Sequence, residues 1–396
     1  MRKNILIFIV VVLMTGSMLI PAFAQEEFSS SELLSVSTEL EVNVNAAACV
    51  LMDQNTGTLL AAKNEHQQLY PASVTKIMTL LLVCEAIEAG KLTLDMPITC
   101  SITAAEKGGS QIWLEQGEVM TVHELLKATV VYSANDACCL LAEIVAGSEQ
   151  EFCVLMNQKA SELGMNDTYF DNCTGLDDET TEHKTSAYDI ALMSRELLKH
   201  DIIRNYTSIW MDTLRDGATQ LVNTNKLIRN YPGATGLKTG TTSKAGCCIS
   251  ATAERDGLEL IAVVLAADNS KDRFESAKNL LDWGFANYEI FTPDANGKYP
   301  EMLDVSFGVK DQVILSHIQA SEVIVNKGQR EKVEYETQLP DELSAPIEKG
   351  QCLGTVNFYH NGKILTSCEI IADESVEKMN FENALIFLLG AFRNNL

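Results

Sequence analysis

Residues 70–79 read YPASVTKIMT, which sets Ser73 and Lys76 three positions apart at the start of an apolar run. On a helix, positions i and i+3 share one face, about a turn apart. A serine hydroxyl needs a base before it can attack a carbonyl. Lysine can be that base only if its pKa falls from about 10.4 towards 7, which costs about 4–5 kcal/mol. Desolvation and a second nearby cation could supply that sum, whereas a helix N-terminus contributes only about 1 kcal/mol. The spacing alone is unspecific, because Ser375-x-x-Lys378 repeats it in an acidic stretch near the C-terminus. Two further triplets raise its meaning. Ser133-Ala134-Asn135 is the one S-x-N in the chain and sits at a break between two helical patterns. Lys238-Thr239-Gly240 is the one K-T-G and lies on a strand ahead of a hairpin. Separately these read as a helix cap and an edge strand. Together, in this order and each in a fitting context, they are hard to ascribe to coincidence.

The elements that must hold these groups can be read around them. AAACVLM, the turn DQNTG and TLLAAK form a β-hairpin from Ala46. A helix runs from about Ser73 to Ala89 and stops at Gly90. Residues 91–232 read as helices and loops, with capping-box starts at Thr121-x-x-Glu124 and Ser186-x-x-Asp189. GCCISATAE and LELIAVVLAA flank a DG turn, a second hairpin. A final helix near 271–288 puts Phe274, Ala277, Leu281, Phe285 and Tyr288 on one face. Strands therefore bracket a helical middle, which predicts a sheet made by the two ends, with helices packed on it. Beyond Pro293, short alternating segments with NG and KG turns predict an all-β module of about 80 residues.

At 396 residues the chain is long enough for two domains with processing segments. Arg2 and Lys3, an apolar run from Ile5 to Ile20 and Ala22-Phe23-Ala24 form a secretory signal with cleavage after Ala24; an uncleaved anchor is the alternative. Residues 25–45 read as a polar spacer, 46–290 as the catalytic unit, 293–372 as the β-module and 373–396 as an amphipathic tail. In the tail, Phe381, Leu385, Leu388, Leu389 and Phe392 share a helical face. The apolar run is too short to span a bilayer, so it would lie in the membrane interface or dock on the β-module. The net charge of −24 disfavours nucleic acid, since nothing would neutralise phosphates. Eleven cysteines include the adjacent pairs Cys138-Cys139 and Cys247-Cys248 and no CxxC, which reads as small-residue packing. Cys352 and Cys368 are the pair best placed for a bridge, if one exists.

S-x-x-K, S-D-N and K-T-G together are the motifs of penicillin-binding proteins and class A β-lactamases. The chain resembles the low-molecular-mass D-alanyl-D-alanine carboxypeptidases, also through VVYSANDAC, LGMNDTYFDNCTGLD, HKTSAYDIALMSREL and GLKTGTTSKAGCC. The likeness covers residues 46–290 and, more loosely, the β-module and tail. It implies an α/β (α+β) DD-peptidase fold, an antiparallel sheet flanked by helices with a helical subdomain and an all-β C-terminal domain. It also implies roles. Ser73 would attack the carbonyl between two terminal D-alanines of a peptidoglycan stem peptide, and Lys76 would take its proton. Ser133 would relay a proton to the departing D-alanine, and Asn135 would hold Lys76 and the substrate amide. Lys238 would add positive potential, and Thr239, beside Gly240, would bind the terminal carboxylate. The N–H groups of Ser73 and Thr241 would form the oxyanion hole. Arg273 could aid carboxylate recognition or be a solvated charge at a helix start. No metal or other cofactor is needed, β-lactams would acylate the same serine, and the protein would act outside the cytoplasmic membrane.

Thr241 replaces a histidine common in relatives, and S-A-N replaces S-D-N. No E-x-x-L-N follows the second motif, so a class A deacylating glutamate has no counterpart. A β-lactamase of the same fold and a non-catalytic wall-binding protein stay open as alternatives. A Ser-His-Asp hydrolase does not, because no G-x-S-x-G exists, and an HExxH zinc protease does not, because residue 127 is Lys.

Overall fold

The computed structural model describes residues 42–178 and 180–385. The signal segment, most of the spacer and the tail positions Leu388, Leu389 and Phe392 lie outside the described residues. Five strands build the main sheet: β1 (Ala48–Asp53), β2 (Leu59–Lys63), β3 (Ala234–Thr242), β4 (Gly246–Arg255) and β5 (Leu258–Ala267). Their order is β2-β1-β5-β4-β3, antiparallel throughout, so the two ends of the catalytic unit meet at β1 and β5. The expected hairpins are both there. The β4–β5 turn uses Asp256 and Gly257, each with φ > 0, the geometry that matches the twist of paired strands.

One face of the sheet carries the helix Ser270–Asn287, whose Ala277, Leu280, Leu281 and Phe285 are buried. The other face receives the helix Ala187–Leu197, whose Ser194 Oγ bonds Ser250 Oγ on β4, and against that helix packs α1 (Lys76–Glu88). Its residues 76–84 are all buried, which is the pattern of a helix enclosed by protein rather than lying on a surface. Against α1 also packs α2 (Asn135–Ala146), whose buried residues include Asn135 through Ala142. The capping box at Thr121 and Glu124 forms reciprocally. At Ser186 only half of it forms, because the Asp189 carboxylate turns to Asp167 N–H and Thr168 Oγ1.

Several expectations need correction. Ser73 lies in a 3-10 turn, Ala72–Thr75, and the α-helix begins at Lys76. The helical middle also holds two small ribbons, Pro97–Thr99 with Val119–Thr121 and Met211–Leu214 with Thr219–Val222. The C-terminal part is a six-stranded sheet over its own core, which includes Val313, Val356, Phe358 and Ile370. However, Val323–Asn326 pairs outside that sheet with Tyr288–Phe291, directly after the last helix of the catalytic unit. Cys352 and Cys368 are both free thiols. Cys352 lies opposite Ile371 and Cys368 opposite Val356, three ladder positions apart. At about 3.3 Å per residue that separation exceeds the span of a disulfide. All other cysteines are free and buried, as packing residues should be. Of the tail, residues 381–385 begin a helix with Phe381 and Leu385 exposed. Among the described residues, no helix is long and apolar enough to cross a membrane.

Candidate active site

Three separate segments converge where α1 starts. Lys76 is completely buried, and its Nζ lies 2.9 Å from Ser73 Oγ, 2.6 Å from Asn135 Oδ1 and 2.9 Å from the Thr174 carbonyl. Two of these partners can only accept, whereas the serine can also donate. A neutral amine that spends its two N–H bonds on Asn135 and Thr174 keeps its lone pair for the Ser73 hydroxyl. Burial lowers the Lys76 pKa from the ordinary lysine value, against the opposing influence of Cys138, Cys173 and Asp136. The expense foreseen for this lysine is therefore met first by desolvation.

Ser133 closes a short π-helical turn, Ala128–Tyr132, with φ = 67°. A non-glycine residue in the left-handed region is uncommon, and π-turns gather at functional sites. The conformation brings Ser133 Oγ to 2.8 Å from Lys238 Nζ, which also donates to the Thr239 carbonyl. Burial, then the charges of Lys76 and Arg273, hold the Lys238 ammonium well below its usual range. Asn135 starts α2, and its Nδ2 donates to the Gly108 carbonyl at 2.7 Å, which fixes Oδ1 toward Lys76.

The K-T-G triplet lies on β3, the free edge of the sheet, next to the Ser73 turn. Gly240 is required there by contact, not by backbone angle. A Cβ at this position would meet Pro71 O and Ser73 N at 2.8 Å and Ala72 Cβ at 3.0 Å. Thr239 Oγ1 donates to Thr224 Oγ1 at 2.7 Å, and Thr241 is exposed. Arg273 is not the solvated charge that its helix-start position allowed. It is buried and donates to Gly240 O, Thr241 Oγ1 and Cys248 O, while its Nε has no partner. Burial lowers its pKa as well. Among the described residues, none of Lys76, Lys238 and Arg273 has a carboxylate within ion-pair distance. With Lys76 neutral, Lys238 and Arg273 leave this site positive without a counter-ion, which suits it to receive an anion.

Sequence reasoning missed the supports beneath these groups. Thr174 acts through its backbone carbonyl, which no side-chain motif can reveal. Gly175 (φ = 85°) packs so closely under the nucleophile turn that a Cβ would overlap Ala72 O. His183 is buried, accepts from Asp171 N–H through Nδ1 and so donates through Nε2 to Thr75 Oγ1 at 2.8 Å. Burial pushes its pKa down to about 4, so it stays neutral. Turn residues in DNCTGLD gave a signal for the loop but not for its contacts. The second S-x-x-K plays no part here, since Ser375 Oγ accepts from Lys349 N–H in the β-module.

The comparisons with known proteins agree with this geometry. Residues 34–269 match the D-alanyl-D-alanine carboxypeptidase peptidase family, and 288–378 match the C-terminal domain of penicillin-binding protein 5. The chain is 39% identical to D-alanyl-D-alanine carboxypeptidase DacF of Bacillus subtilis, over 96% of this chain and 97% of that protein. Among solved structures, penicillin binding protein 5 from Haemophilus influenzae superposes with a TM-score of 0.73 at 30% identity, covering 86% of this chain and all of that one. Penicillin-Binding Protein D2 from Listeria monocytogenes, in its ampicillin-bound form, gives 0.57 at 31% identity over 61% of this chain and 98% of its own.

Proposed function

Because the chain belongs to the D-alanyl-D-alanine carboxypeptidase family of low-molecular-mass penicillin-binding proteins, we propose how its own residues divide the work. It is a serine-type hydrolase that removes the terminal D-alanine from peptidoglycan stem peptides through an acyl-enzyme. Ser73 is the nucleophile and Lys76 its base. The observation that carries this assignment is the buried Lys76 amine, with two pure acceptors on one side and the Ser73 hydroxyl on the other.

The terminal carboxylate enters the cationic pocket beside Lys238, Thr239 and Arg273, where the unpaired charges draw it in. As Ser73 Oγ attacks, its proton passes to Lys76, and the backbone N–H groups of Ser73 and Thr241 take the developing oxyanion. One such donor is typically worth about 3–4 kcal/mol. Collapse of the tetrahedral intermediate expels D-alanine, whose nitrogen is protonated through Ser133, bonded in turn to Lys238. Water then hydrolyses the ester, with Lys76 again as base. Asn135 holds both Lys76 and the substrate amide. A β-lactam would follow the same first step and stop at the acyl-enzyme. The unit spanning 46–290 does this chemistry, and 293–372 forms the β-module, apart from Val323–Asn326, which pairs with Tyr288–Phe291. Action outside the cytoplasmic membrane follows from the cell-wall substrate; export by residues 1–24 and peripheral membrane contact by the tail are part of this proposal.

The test is D-alanine release from a peptide ending in D-Ala-D-Ala, by residues 25–372 and by the same protein with Ser73→Ala. Release by the first alone supports the assignment. Rapid penicillin hydrolysis without release would move it to a β-lactamase, and no reaction in a folded sample to a wall-binding protein.

A further inference from the structure

The loop from Lys107 to Glu118 is fastened to the site at several points. The Asn135 N–H donates to the Ser110 carbonyl at 2.6 Å. The fully buried Asp136 carboxylate accepts from Ile112 N–H at 3.2 Å and from Leu114 N–H at 3.0 Å. From outside, Arg215 donates to the Ile112 carbonyl at 2.9 Å and the Trp113 carbonyl at 3.4 Å, and it pairs with Glu118 at 2.7 Å. Between buried Ile112 and buried Leu114, this frame holds Trp113 at φ = 59° with 75% of its surface exposed. Two tendencies oppose that state. A bulky residue in the left-handed region is strained, and a large apolar ring is left in water. Gly or Asn would close the same turn without either cost. Strain of this kind persists where the surroundings over-determine it, and such places cluster at ligand sites.

We propose that Trp113 is a specificity-determining residue of the carboxypeptidase reaction, an aromatic platform that stacks on the substrate upstream of the scissile bond. The inference rests on the reaction assigned to Ser73. Trp113 is three residues from Ser110, so its backbone lies within about 10 Å of Ser110, which is itself bonded to Asn135. Asn135 and Ser73 share the Lys76 amine. A stem pentapeptide has three residues before the terminal pair, again about 10 Å when extended. That segment leaves the pocket over its rim, and Trp113 lies within its reach. What it offers an indole is a weakly polar face, either a peptide plane with aliphatic side chains or the C–H face of the attached sugar.

The experiment measures kcat and KM for three substrates: an N-acetylated tripeptide ending in D-Ala-D-Ala, a stem pentapeptide and its disaccharide-linked form. For Trp113→Ala, the ratio of kcat/KM for long over short substrate should fall roughly three- to ten-fold, mainly through KM. Trp113→Phe should restore most of it. A loss that begins with the pentapeptide identifies the peptide face, and one confined to the disaccharide form identifies the sugar; either supports the platform. Trp113→Gly relieves the backbone, so its Tm should equal or exceed that of the parent while the ratio still falls. A merely structural tryptophan would instead lower Tm and penalise all three substrates in proportion. In a Ser73→Ala background with Trp210→Phe and Trp283→Phe, the remaining indole fluorescence should respond to the disaccharide pentapeptide. A long-to-short ratio within two-fold of the parent overturns the proposal. Failure of the parent to release D-alanine from any of the three overturns the underlying reaction instead.

Discussion

Gly240→Ala probes the contact between the K-T-G strand and the nucleophile turn. The new Cβ would lie 2.8 Å from Pro71 O and from Ser73 N and 3.0 Å from Ala72 Cβ, where ordinary contact begins near 3.4 Å. Two of the three obstacles are backbone atoms, so no rotamer change relieves them. Either the β3 edge or the 3-10 turn must retreat by roughly half an ångström. That motion separates Ser73 from Thr241, which supply the proposed oxyanion donors, and it shifts Ser73 Oγ against Lys76. Since about 1 Å of misplacement can cost 10²-fold, acylation should slow by roughly 10- to 100-fold. The overpacking itself should cost about 1–3 kcal/mol, and the protein should still fold. The assay is the second-order rate of labelling by a fluorescent penicillin, beside D-alanine release. Gly257→Ala is the matched control. It imposes a left-handed alanine (φ = 82°) in open space at the β4–β5 turn, costing about 1–2 kcal/mol, far along the hairpin from Ser73. Labelling of Gly240→Ala within two-fold of the parent, or equal slowing in both variants, would refute the argument.

Three further outcomes are expected. Lys76→Met, close to lysine in size, should reduce penicillin labelling by about 10²–10⁴-fold in a folded sample; retention within five-fold would remove Lys76 as the base. Because the His183 pKa is near 4 in the folded state and 6.5 unfolded, the neutral ring contributes about 3 kcal/mol that is fully present above pH 6.5 and lost as pH falls through 4. Urea unfolding between pH 4 and 7 should show that slope, and His183→Asn should lack it. Alkylation of the denatured protein without reductant should count eleven thiols, and a count that rises with reductant would contradict the free Cys352 and Cys368.

The legible part of the site was the part written as short spacing. Ser73 with Lys76, Ser133 with Asn135, and Lys238 with Thr239 are each fixed by one turn of helix or one strand, so their neighbourhood follows from local geometry. The hairpins were legible for the same reason. The Thr174 carbonyl and His183 reach the nucleophile turn across 98 and 108 residues of chain, and nothing in their local sequence distinguishes them from loop and capping residues. Arg273 shows the limit most clearly. Its position at a helix start fits a solvated charge as well as a buried one, and only the packing of that helix on β4 and β5, which turns the side chain toward Gly240 and Thr241, decides. The pairing of Val323–Asn326 with Tyr288–Phe291 was hidden likewise, because alternation identifies a strand but not its neighbour.

Backbone strain follows a pattern that the sequence could not display. Asn64, Asp216, Asp256 and Asn361 have positive φ, but Asn and Asp tolerate it in turns. The unexpected cases are Ala72, Trp113, Ser133, Arg215, Ala266 and Phe307. Ala72 immediately precedes the nucleophile, and Ser133 is the relay. Trp113 lies on the loop that holds Asn135, and Arg215, from the turn between Met211–Leu214 and Thr219–Val222, donates to the Trp113 carbonyl. Ala266 abuts Gly246, which pairs with Thr242 just beyond the K-T-G triplet. Only Phe307 lies in the β-module. Glycine at these positions would relieve the backbone, yet five of the six non-glycine exceptions lie in the catalytic unit, with Ala72 and Ser133 in the site itself. Local preference and native conformation disagree most where the fold holds groups for chemistry rather than for stability. That concentration makes the neighbourhood of Ser73 the part of this protein where glycine substitutions should stabilise and inactivate together.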